Sequence, residues 1–286
     1  MNITGSAKLA GVLGWPVAQS LSPRMHSYWI EEYSIDGAYV PLPVRQQDFA
    51  IVVNGLKLAG FRGVNVTVPH KEAAFALADR SDRAAKGTGA ANLLLFAADG
   101  VEARNTDTYG LHASLCESLG ADVLKGRTVA LWGAGGFARA AVCVLSDLGA
   151  AEIRILNREK ARAGNLITAL ASGTKAKLVG LGFEDWQQAG KDIALLVNAT
   201  STGMKNPSID LPLDILPNTA AVLDAVYNPL ETGLLARARA RGLRAIDGLG
   251  ILMHQAVPSF AAFYGVEPKV TAVLRSTLEN DLRHDS

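Results

Sequence analysis

The sequence predicts an α/β protein of two domains. Apolar strand-like runs alternate with helical apolar spacing along most of its 286 residues, which is typical of βαβ units. A Gly-rich turn stands between a predicted strand and a predicted helix near residue 133. The chain is also longer than a usual single domain, so we expect two α/β domains, each with a sizeable core.

The first domain is predicted to contain alternating strands and helices. The strands are expected at 9–14, 38–44 and 62–68, and the helices near 23–33, 47–59 and 69–79. Pro69 suits the first turn of the third helix. Two short runs, ANLLLF and VEARN, flank Asp99-Gly100 and predict a hairpin. The hairpin breaks the βαβ pattern, so we expect a mixed sheet.

A helix from Asp107 to about residue 119 is predicted to bridge the two halves. Strands of the second domain are expected from Thr128 and at 152–156, 176–180, 194–199, 221–226 and 243–247. Two final helices, about 249–264 and 268–283, are expected to pack back on the first domain. The predicted divisions are therefore 1–107, 108–248 and 249–286.

Composition excludes several classes of protein. A formal net charge of +1 gives no nucleic-acid or membrane footprint, and 49% hydrophobic with 19% charged residues argues against disorder. No signal peptide or membrane-spanning run is visible, so we expect a cytoplasmic protein. Cys116 and Cys143 lack metal or redox spacing and are expected to be buried free thiols. The five histidines show no ligand spacing, and no metal is predicted.

The Gly-rich turn predicts a Rossmann-type dinucleotide site. The segment TVALWGAGGFARA, residues 128–140, runs from an apolar strand through Gly133-x-Gly135-x-x-Ala138 into a helix. Gly133 would permit the tight turn, Gly135 the approach of a pyrophosphate, and Ala138 close helix packing. Free N–H groups at the helix start favour the anion.

The end of the next strand indicates which dinucleotide is bound. A NAD site expects an acidic residue there, whereas this chain has Asn157-Arg158, with Arg162 one helical turn further on. The two guanidinium groups favour NADP because they can bind its 2′-phosphate. Glu159 would either weaken that binding or point outward. The alternative is that the arginines are solvated residues of a surface helix.

The segment NVTVPHK, Asn65 to Lys71, places a lysine after a buried strand. Thr67 and Lys71 flank the carboxyl end of that strand, where ligands collect in open α/β sheets. Together with a dinucleotide site, the lysine suggests redox chemistry on a hydroxyl or a carbonyl. The alternative is a surface lysine on an amphipathic helix.

Other polar residues at strand ends have either a structural or a binding role. Ser22 could cap a helix that starts with Pro23, or Ser20 and Ser22 could form a carboxylate pocket. Asn92 could satisfy a turn, and Asp107 could cap the bridging helix. The loop NATSTGM, residues 198–204, could be a bare turn, and Gln255 a surface residue.

Taken in order, these segments resemble the shikimate dehydrogenase family along nearly the whole chain. The matching segments are Gly14-x-Pro16, SLSPRMH (20–26), GVNVTVPHK (63–71), GAAN (89–92), NTD (105–107), GAGGFARA (133–140), NRE (157–159), NATSTGM (198–204), DAVYNPLET (224–232) and GLGILMHQA (248–256). The resemblance implies reversible NADPH-dependent reduction of 3-dehydroshikimate to shikimate, a step toward chorismate and the aromatic amino acids. It also implies a substrate-binding domain (1–107), an NADP-binding domain (108–248) and C-terminal helices packing on the first (249–286).

The resemblance also implies roles for individual residues. Lys71 and Asp107 would form the acid-base pair, because reduction of a ketone leaves an alkoxide that needs charge stabilisation and a proton. Substrate-binding residues would be Ser20, Ser22, Asn65, Thr67, Asn92, Tyr227 and Gln255, with Ser20, Ser22 and Tyr227 at the carboxylate. Cofactor-binding residues would be Gly133, Ala134, Gly135, Gly136, Phe137, Asn157, Arg158, Arg162, Thr200, Ala225 and Gly248.

Two alternatives to this function stay open on the sequence alone. A quinate or aminoshikimate dehydrogenase on the same scaffold differs in one ring substituent of its substrate, and no residue separates it from a shikimate enzyme. A ligand-sensing regulator without turnover is a second class, which the presence of Lys71 and the glycine turn disfavours. The expected assembly is a monomer or a homodimer that binds small molecules and neither nucleic acid nor membrane.

Overall fold

The computed structural model describes residues 3–203 and 211–284. The chain forms two compact units. Unit 1 consists of Met1–Tyr109 and Met253–Asp281, and unit 2 of Gly110–Leu252 and Leu282–Ser286. The substrate-binding and NADP-binding roles expected of the two domains stay predictions.

The described residues form strands in both units. In chain order the strands are β1 (Lys8–Gly14), β2 (Gly37–Pro43), β3 (Gly63–Val66), β4 (Arg80–Ser81), β5 (Leu93–Ala97), β6 (Gly100–Arg104), β7 (Thr128–Trp132), β8 (Glu152–Leu156), β9 (Lys177–Leu181), β10 (Leu195–Asn198), β11 (Ala221–Asp224) and β12 (Arg244–Ile246). Each strand predicted from the sequence is present within a few residues of its expected position. The two-residue strand β4 was not predicted, because it is too short to show an alternating pattern.

The helices largely follow the predicted spacing. In chain order they are α1 (Ser22–Glu32), α2 (Phe49–Leu58), α3 (Lys71–Leu77), α4 (Arg83–Thr88), α5 (Asp107–Leu119), α6 (Gly136–Asp147), α7 (Lys160–Leu170), α8 (Trp186–Ala189), α9 (Gly233–Ala240), α10 (Leu249–Tyr264) and α11 (Ala272–His284). The predicted bridging helix is α5, and its residues up to Tyr109 belong to unit 1.

The prediction that Pro69 lies in the first turn of a helix is wrong. The Val68–Pro69 peptide bond is cis, and the two residues lie in a turn between β3 and α3. The His70 backbone N–H donates to the carbonyl oxygen of Thr67 at 3.0 Å and closes this turn. As a result, Lys71 is the first residue of α3.

Unit 1 contains a mixed six-stranded sheet in the order β2-β1-β3-β5-β6-β4. β1 is parallel to both β2 and β3, whereas β5 is antiparallel to β3 and to β6. The predicted hairpin is confirmed as β5 and β6, in which Ala97 pairs with Gly100. Its tight connection turns the chain back and makes the sheet mixed, as expected.

The two C-terminal helices contact α1 of the first unit, α11 through an ion pair of Arg24 Nε with Asp281 Oδ2 at 2.9 Å. The indole Nε1 of Trp29 donates to the carbonyl oxygen of Lys269 at 3.1 Å. The ring of Trp29 also meets that of Phe260 on α10 edge to face, with centroids 5.3 Å apart. Burial of aromatic rings supplies much of the stabilisation of such contacts. The return of the C-terminal helices to the first domain is therefore confirmed.

Unit 2 contains a parallel six-stranded sheet in the order β12-β11-β10-β7-β8-β9. This is the Rossmann order, and the direction of strand addition reverses between β7 and β10. Separate apolar cores cover the two faces, one around Leu145 and Ile153 and the other around Trp186 and Leu196. The predicted Rossmann-type domain is present.

Three further features of the structure concern membrane-spanning helices, metal ligands and cysteines. No helix in the described part of the chain is long and apolar enough to cross a membrane. Among residues 3–203 and 211–284, no group of three His, Cys, Asp or Glu side chains is arranged to hold a metal ion. Cys116 and Cys143 are free thiols, but the expectation that they are buried is wrong, because both are partly exposed.

Candidate functional site

A lysine and a carboxylate form a short ion pair in unit 1. Lys71 begins α3 and Asp107 begins α5, and Lys71 Nζ lies 2.6 Å from Asp107 Oδ2. The side chains are 24% and 13% exposed, so solvent reaches both. An ammonium has three N–H donors, and two of those on Lys71 have no partner among the residues that the structure describes. These two are available to an oxygen of a ligand.

Asn92 holds the carboxylate from the other side. Its Nδ2 faces Asp107 Oδ1 at 2.8 Å, Thr106 Oγ1 at 3.0 Å and Gln255 Oε1 at 3.2 Å. Its Oδ1 accepts the backbone N–H of Thr106 at 2.7 Å. The residues that the sequence singled out on four separate segments, Lys71, Asn92, Asp107 and Gln255, are therefore brought together.

The residue two positions before Asp107 explains how α5 starts. Asn105 Oδ1 accepts the backbone N–H of Asp107 at 3.1 Å, which makes Asn105 the cap-like residue. Asp107 is the first residue of the helix rather than its cap, and its carboxylate is directed to Lys71 and Asn92. The alternative interpretation of Asp107 as a helix cap is wrong for this reason.

Asn65 lies beneath this cluster, and other protein groups use almost all of the hydrogen-bonding capacity of its side chain. Its Nδ2 donates to the carbonyl oxygen of Asn92 at 3.1 Å and to Ser259 Oγ at 2.9 Å. Its Oδ1 accepts the hydroxyl of Tyr39 at 2.8 Å. Tyr39 is buried, and this burial raises the pKa of its phenol well above the usual value, so the group stays a donor. The substrate contact expected of Asn65 stays a prediction.

Tyr39 and Ser259 were not found by sequence reasoning. Both are buried, at 5% and 0% exposure, and neither stands in a polar segment at a strand end. Thr106 was quoted only as part of the NTD segment, and its hydroxyl lies 3.3 Å from Gln255 Oε1. Buried side chains that hydrogen-bond other side chains produce no local sequence pattern, so the sequence did not indicate these three residues.

Ser20 and Ser22 stand at the start of α1. The helix begins at Ser22, and Leu21 at its N-cap position makes no side-chain capping bond. The Ser20 Oγ accepts the backbone N–H of Ser22 at 3.3 Å, while the hydroxyl of Ser22 contacts that of Tyr39. Ser22 is therefore not the cap of α1, whereas Ser20 makes a cap-like bond to the first turn, and the carboxylate pocket expected of the two serines stays a prediction.

Thr67 follows β3 directly. Its backbone N–H donates to the carbonyl oxygen of Leu13 at 2.8 Å, which continues the pairing of β1 and β3 by one residue. The side-chain hydroxyl has no hydrogen-bond partner in the described part of the chain. Thr67 and Lys71 thus flank the carboxyl end of β3, as the sequence predicted.

The glycine turn of unit 2 joins β7 to α6. Gly133 has a φ of +112°, which side chains rarely adopt. A Cβ at this position would also lie 2.7 Å from Thr200 Cγ2. Gly135 is the N-cap residue of α6, and no side chain caps the helix.

The residues at this turn fit the pyrophosphate of a dinucleotide. The backbone N–H groups at the start of α6, which begins at Gly136 and continues with Phe137, are not used by a capping side chain. Added Cβ atoms at Gly135 and Gly136 would meet nothing within 4 Å, so there is open space for a ligand. Ala134 is partly buried and packs with Phe137 against the core of unit 2.

The residues after β8 are arranged around Glu159. Asn157 Nδ2 donates to the carbonyl oxygen of Glu159 at 2.9 Å, and Arg162 Nε lies 3.2 Å from Glu159 Oε2. Arg158 is exposed and has no ion pair within the described ranges. Of the two predicted phosphate ligands, Arg158 is therefore available, whereas Arg162 is paired with a carboxylate.

The remaining predicted cofactor residues, Thr200, Ala225 and Gly248, follow the carboxyl ends of β10, β11 and β12. The hydroxyl of Thr200 donates a hydrogen bond to Asn198 Oδ1 at 2.8 Å. A Cβ on Gly248 would lie 2.3 Å from the carbonyl oxygen of Ala225, so only glycine allows the two backbones to approach. Tyr227 belongs to unit 2, and its share in carboxylate binding stays a prediction. Met204, quoted in the NATSTGM segment, lies outside the described residues.

Comparison with known proteins gives consistent results. A sequence model of the shikimate dehydrogenase substrate binding domain matches residues 12–94. "Shikimate dehydrogenase (NADP(+))" of Paramagnetospirillum magneticum is 47% identical over 279 residues, covering 96% of this chain and 99% of the relative. The enzyme of the same name from Acidiphilium cryptum is 47% identical over 284 residues, covering 99% of each.

A solved structure is similar over the same length. Shikimate 5-dehydrogenase from Thermus thermophilus, in complex with NADP(H) and shikimate, has a TM-score of 0.82 and 33% identity. The match covers 97% of this chain and 99% of that one. Sequence identity at this level over the full length of the relatives decides the relationship, and the chain belongs to the shikimate dehydrogenase family.

Proposed function

We propose that this protein catalyses the reversible NADPH-dependent reduction of 3-dehydroshikimate to shikimate. The observation that carries the proposal is the Lys71–Asp107 pair, which Asn92 holds at hydrogen-bond distance within unit 1. The pair lies in a chain that also has an uncapped glycine turn in a Rossmann-ordered unit. Relatives at 47% identity are named for the same activity with NADP(+).

Lys71 supplies the proton in this proposal. NADPH, when bound, supplies the hydride that makes a ketone into an alcohol. The oxygen that accepts the developing charge needs a nearby cationic donor, and Lys71 has two N–H groups free of partners among the described residues. Proton transfer from such a group contributes about 100- to 10,000-fold to the rate.

Asp107 and Asn92 fix the direction of the ammonium group. One carboxylate oxygen of Asp107 accepts from Lys71 at 2.6 Å, while the other accepts from Asn92 at 2.8 Å. A side chain held at both ends loses little entropy when the substrate binds. We therefore assign Asp107 to orientation of the ammonium and of a ring hydroxyl, as the second member of the acid-base pair.

The other unit 1 residues are proposed to bind the substrate. Ser20 and Ser22 provide hydroxyl groups for the carboxylate, and this assignment is supported by their place at the start of α1, where the hydroxyl of Ser22 does not cap the helix. Thr67 provides a hydroxyl beside Lys71. Asn92 and Gln255 share a bond of 3.2 Å at the rim of the cluster and are assigned to the ring hydroxyls, together with Asn65.

NADP is the proposed cofactor. Gly133 to Phe137 offer an uncapped helix start for the pyrophosphate, and Arg158 offers a guanidinium for the 2′-phosphate. Thr200, Ala225 and Gly248 are assigned to the nicotinamide end. A cytoplasmic location and a monomeric or homodimeric state remain part of the proposal.

Steady-state kinetics with two substrates and two cofactors tests this function. Shikimate and quinate are each oxidised with NADP and with NAD, and kcat/KM is compared for the four pairs. We expect shikimate with NADP to have the highest value, by about tenfold or more over each single change, because the loss of one well-placed polar contact costs about this much. Comparable efficiency with quinate would reassign the enzyme to quinate oxidation, and absence of turnover with all four pairs would reject catalysis.

A further inference from the structure

A buried carboxylate lies at the carboxyl end of the unit 2 sheet, where the proposed function gives it no role. Asp224 is the last residue of β11 and is 1% exposed. Asn198, the last residue of β10, is fully buried beside it. Asn198 Nδ2 donates to Asp224 Oδ1 at 2.7 Å. The two side chains therefore connect the ends of neighbouring strands.

The connection extends into both loops that follow these strands. The backbone N–H of Val226 donates to Asp224 Oδ1 at 3.1 Å, and Thr232 Oγ1 donates to Asp224 Oδ2 at 2.7 Å. On the other side, Asn198 Oδ1 accepts the backbone N–H of Thr200 at 3.0 Å and its hydroxyl at 2.8 Å. One network of bonds thus holds residues 199–202 and residues 225–232.

Retention of a carboxylate at such a site needs a reason. Burial of a charged group carries a large desolvation cost, which hydrogen bonds only partly offset. Consistent with this cost, burial raises the pKa of Asp224 even though donors from Thr232, Val226 and Asn198 oppose the shift. No lysine or arginine in the described ranges forms an ion pair with it. A carboxylate does, however, accept hydrogen bonds on both oxygens, which an amide cannot do.

The held loops carry residues proposed for the nicotinamide end. The methyl group of Thr200 would lie 2.7 Å from a Cβ at Gly133, so Thr200 is packed against the glycine turn. Ala225 follows Asp224 directly, and the Gly248 N–H donates to the carbonyl oxygen of Val226 at 3.3 Å. A shift of either loop would therefore move the cofactor surface.

We infer that Asp224 is a positioning residue that acts through Asn198 and Thr232 to fix the two loops at the nicotinamide end of the cofactor site. The inference rests on the proposed use of NADP by this site. Asp224 itself is buried beneath the loops and is assigned no contact with the ligand.

Variants of Asp224 and Thr232 test the inference. Asp224→Asn keeps the size of the side chain but presents an amino group to at least one of the present donors. Thr232→Val removes the hydroxyl, while Thr232→Ser retains it together with its bond to the Leu235 N–H. The measurements are the Kd for NADP without substrate, kcat, KM for NADP and for shikimate, and Tm.

We expect Asp224→Asn and Thr232→Val to weaken NADP binding or lower kcat by about tenfold or more, as expected for loss of a bond to a charged group. KM for shikimate should change much less, and Thr232→Ser should behave like the unchanged protein. Ser146→Ala is the matched control, because Ser146 on α6 is a buried unit 2 residue whose hydroxyl accepts the Lys175 N–H at 3.0 Å. It should lower Tm alone.

Two results would overturn the inference. One is an Asp224→Asn protein with lower Tm but with Kd for NADP and kcat within about twofold of the unchanged protein, as for a merely structural bond. The other, if Asp224→Asn does not fold, is equal NADP binding by the Thr232→Val and Thr232→Ser proteins. Failure of the proposed function is recognised separately, because the unchanged protein would then not oxidise shikimate with NADP.

Discussion

The ammonium of Lys71 is the single group on which the proposed chemistry depends most. Its bond to Asp107 is 2.6 Å long and the pair is mostly shielded from solvent. We expect Lys71→Ala to lower kcat by about 100- to 10,000-fold and to change KM for shikimate little, because the proton donor acts mainly in the transition state. Steady-state kinetics in both directions measures the effect.

A lysine on a neighbouring helix provides the control for Lys71. Lys86 is exposed in the last turn of α4, and Lys86→Ala should leave kcat unchanged. Asp107→Asn, like Lys71→Ala, should have a lower kcat, since the amide cannot orient the ammonium as a carboxylate does. A loss below about tenfold in Lys71→Ala would be too small for a general acid and would count against the assignment.

Arg158 is the residue expected to set cofactor preference. It is exposed, without an ion pair within the described ranges, and follows the strand end at which a NAD enzyme would place an acidic residue. Loss of a charge-assisted bond of about 1.5 to 3 kcal/mol corresponds to roughly ten- to a hundredfold. Arg158→Ala should therefore raise KM for NADP by this factor and leave KM for NAD nearly unchanged.

A second variant tests the ion pair of Glu159 with Arg162 and complements Arg158→Ala. The two side chains are 54% and 65% exposed, and exposed pairs contribute only about 0.2 to 1 kcal/mol. Glu159→Gln, which frees Arg162, should lower KM for NADP by less than about fivefold. If the unchanged protein uses NADP and NAD with equal kcat/KM, Arg158 does not have the role assigned to it.

Substitutions at the starts of α1 and α4 in unit 1 distinguish a substrate-binding role of a side chain from a helix-capping role. At α1 the N-cap residue Leu21 makes no capping bond and Ser20 Oγ accepts the Ser22 N–H only at 3.3 Å, whereas at α4 the Asp82 Oδ1 accepts the Ala85 N–H at 2.6 Å. Replacement of Ser20 and Ser22 by Ala should raise KM for shikimate, since each hydroxyl bond to a carboxylate contributes about 1.5 to 3 kcal/mol. Thermal unfolding and NADP binding should change little.

Asp82→Ala is the matched control for the two serines. Loss of a true N-cap costs about 1 kcal/mol of stability, so this variant should have a lower Tm and an unchanged KM. If the double serine variant instead loses stability and keeps its KM, the two hydroxyls are structural and the carboxylate is bound elsewhere.

At the scale of the whole chain, the sequence predicted what depends on local pattern. Apolar periodicity located the strands of both sheets, and the turn at Gly133 predicted the Rossmann order, because a strand, a glycine turn and a helix recur in that arrangement. The resemblance implied that Lys71, Asn92, Asp107 and Gln255 surround one substrate. Bonds of 2.6 to 3.2 Å connect their side chains, while their roles toward a substrate stay predictions.

Most features that the sequence did not predict depend on contacts between segments that are distant in the chain. The amide of Asn65 is occupied by Tyr39 and Ser259, which stand 26 and 194 residues away in the chain. Asp224 and Thr232 lay within a quoted segment, but nothing in it indicated that one buried carboxylate joins two loops. The start of α3 was misplaced for a different reason, because the turn at Pro69 is closed by a local bond from the His70 N–H to the carbonyl oxygen of Thr67, which helix propensity does not describe.

The burial of His26 should make the stability of the protein depend on pH. His26 lies in an aromatic cluster of unit 1, with its ring stacked on that of Tyr39 at 3.8 Å. It is fully buried, and neither ring nitrogen has a hydrogen-bond partner in the described part of the chain. Burial lowers the pKa of His26 from 6.5 to about 3 because a charged imidazole would lose its hydration there.

The unfolded chain therefore binds a proton at His26 below pH 6.5, whereas the folded chain does not until about pH 3. The contribution of neutral His26 to the free energy of unfolding is present in full above pH 6.5. It decreases as the pH falls toward 3, by about 2 kcal/mol at pH 5.

Denaturant unfolding at pH 7 and pH 5 should show this loss in the unchanged protein. The loss should be about 2 kcal/mol smaller in His26→Phe, which keeps an aromatic ring in the cluster. His112→Gln, at an exposed position of α5, should retain the full dependence. If His26→Phe and the unchanged protein lose the same free energy between these pH values, the imidazole is not held neutral by burial.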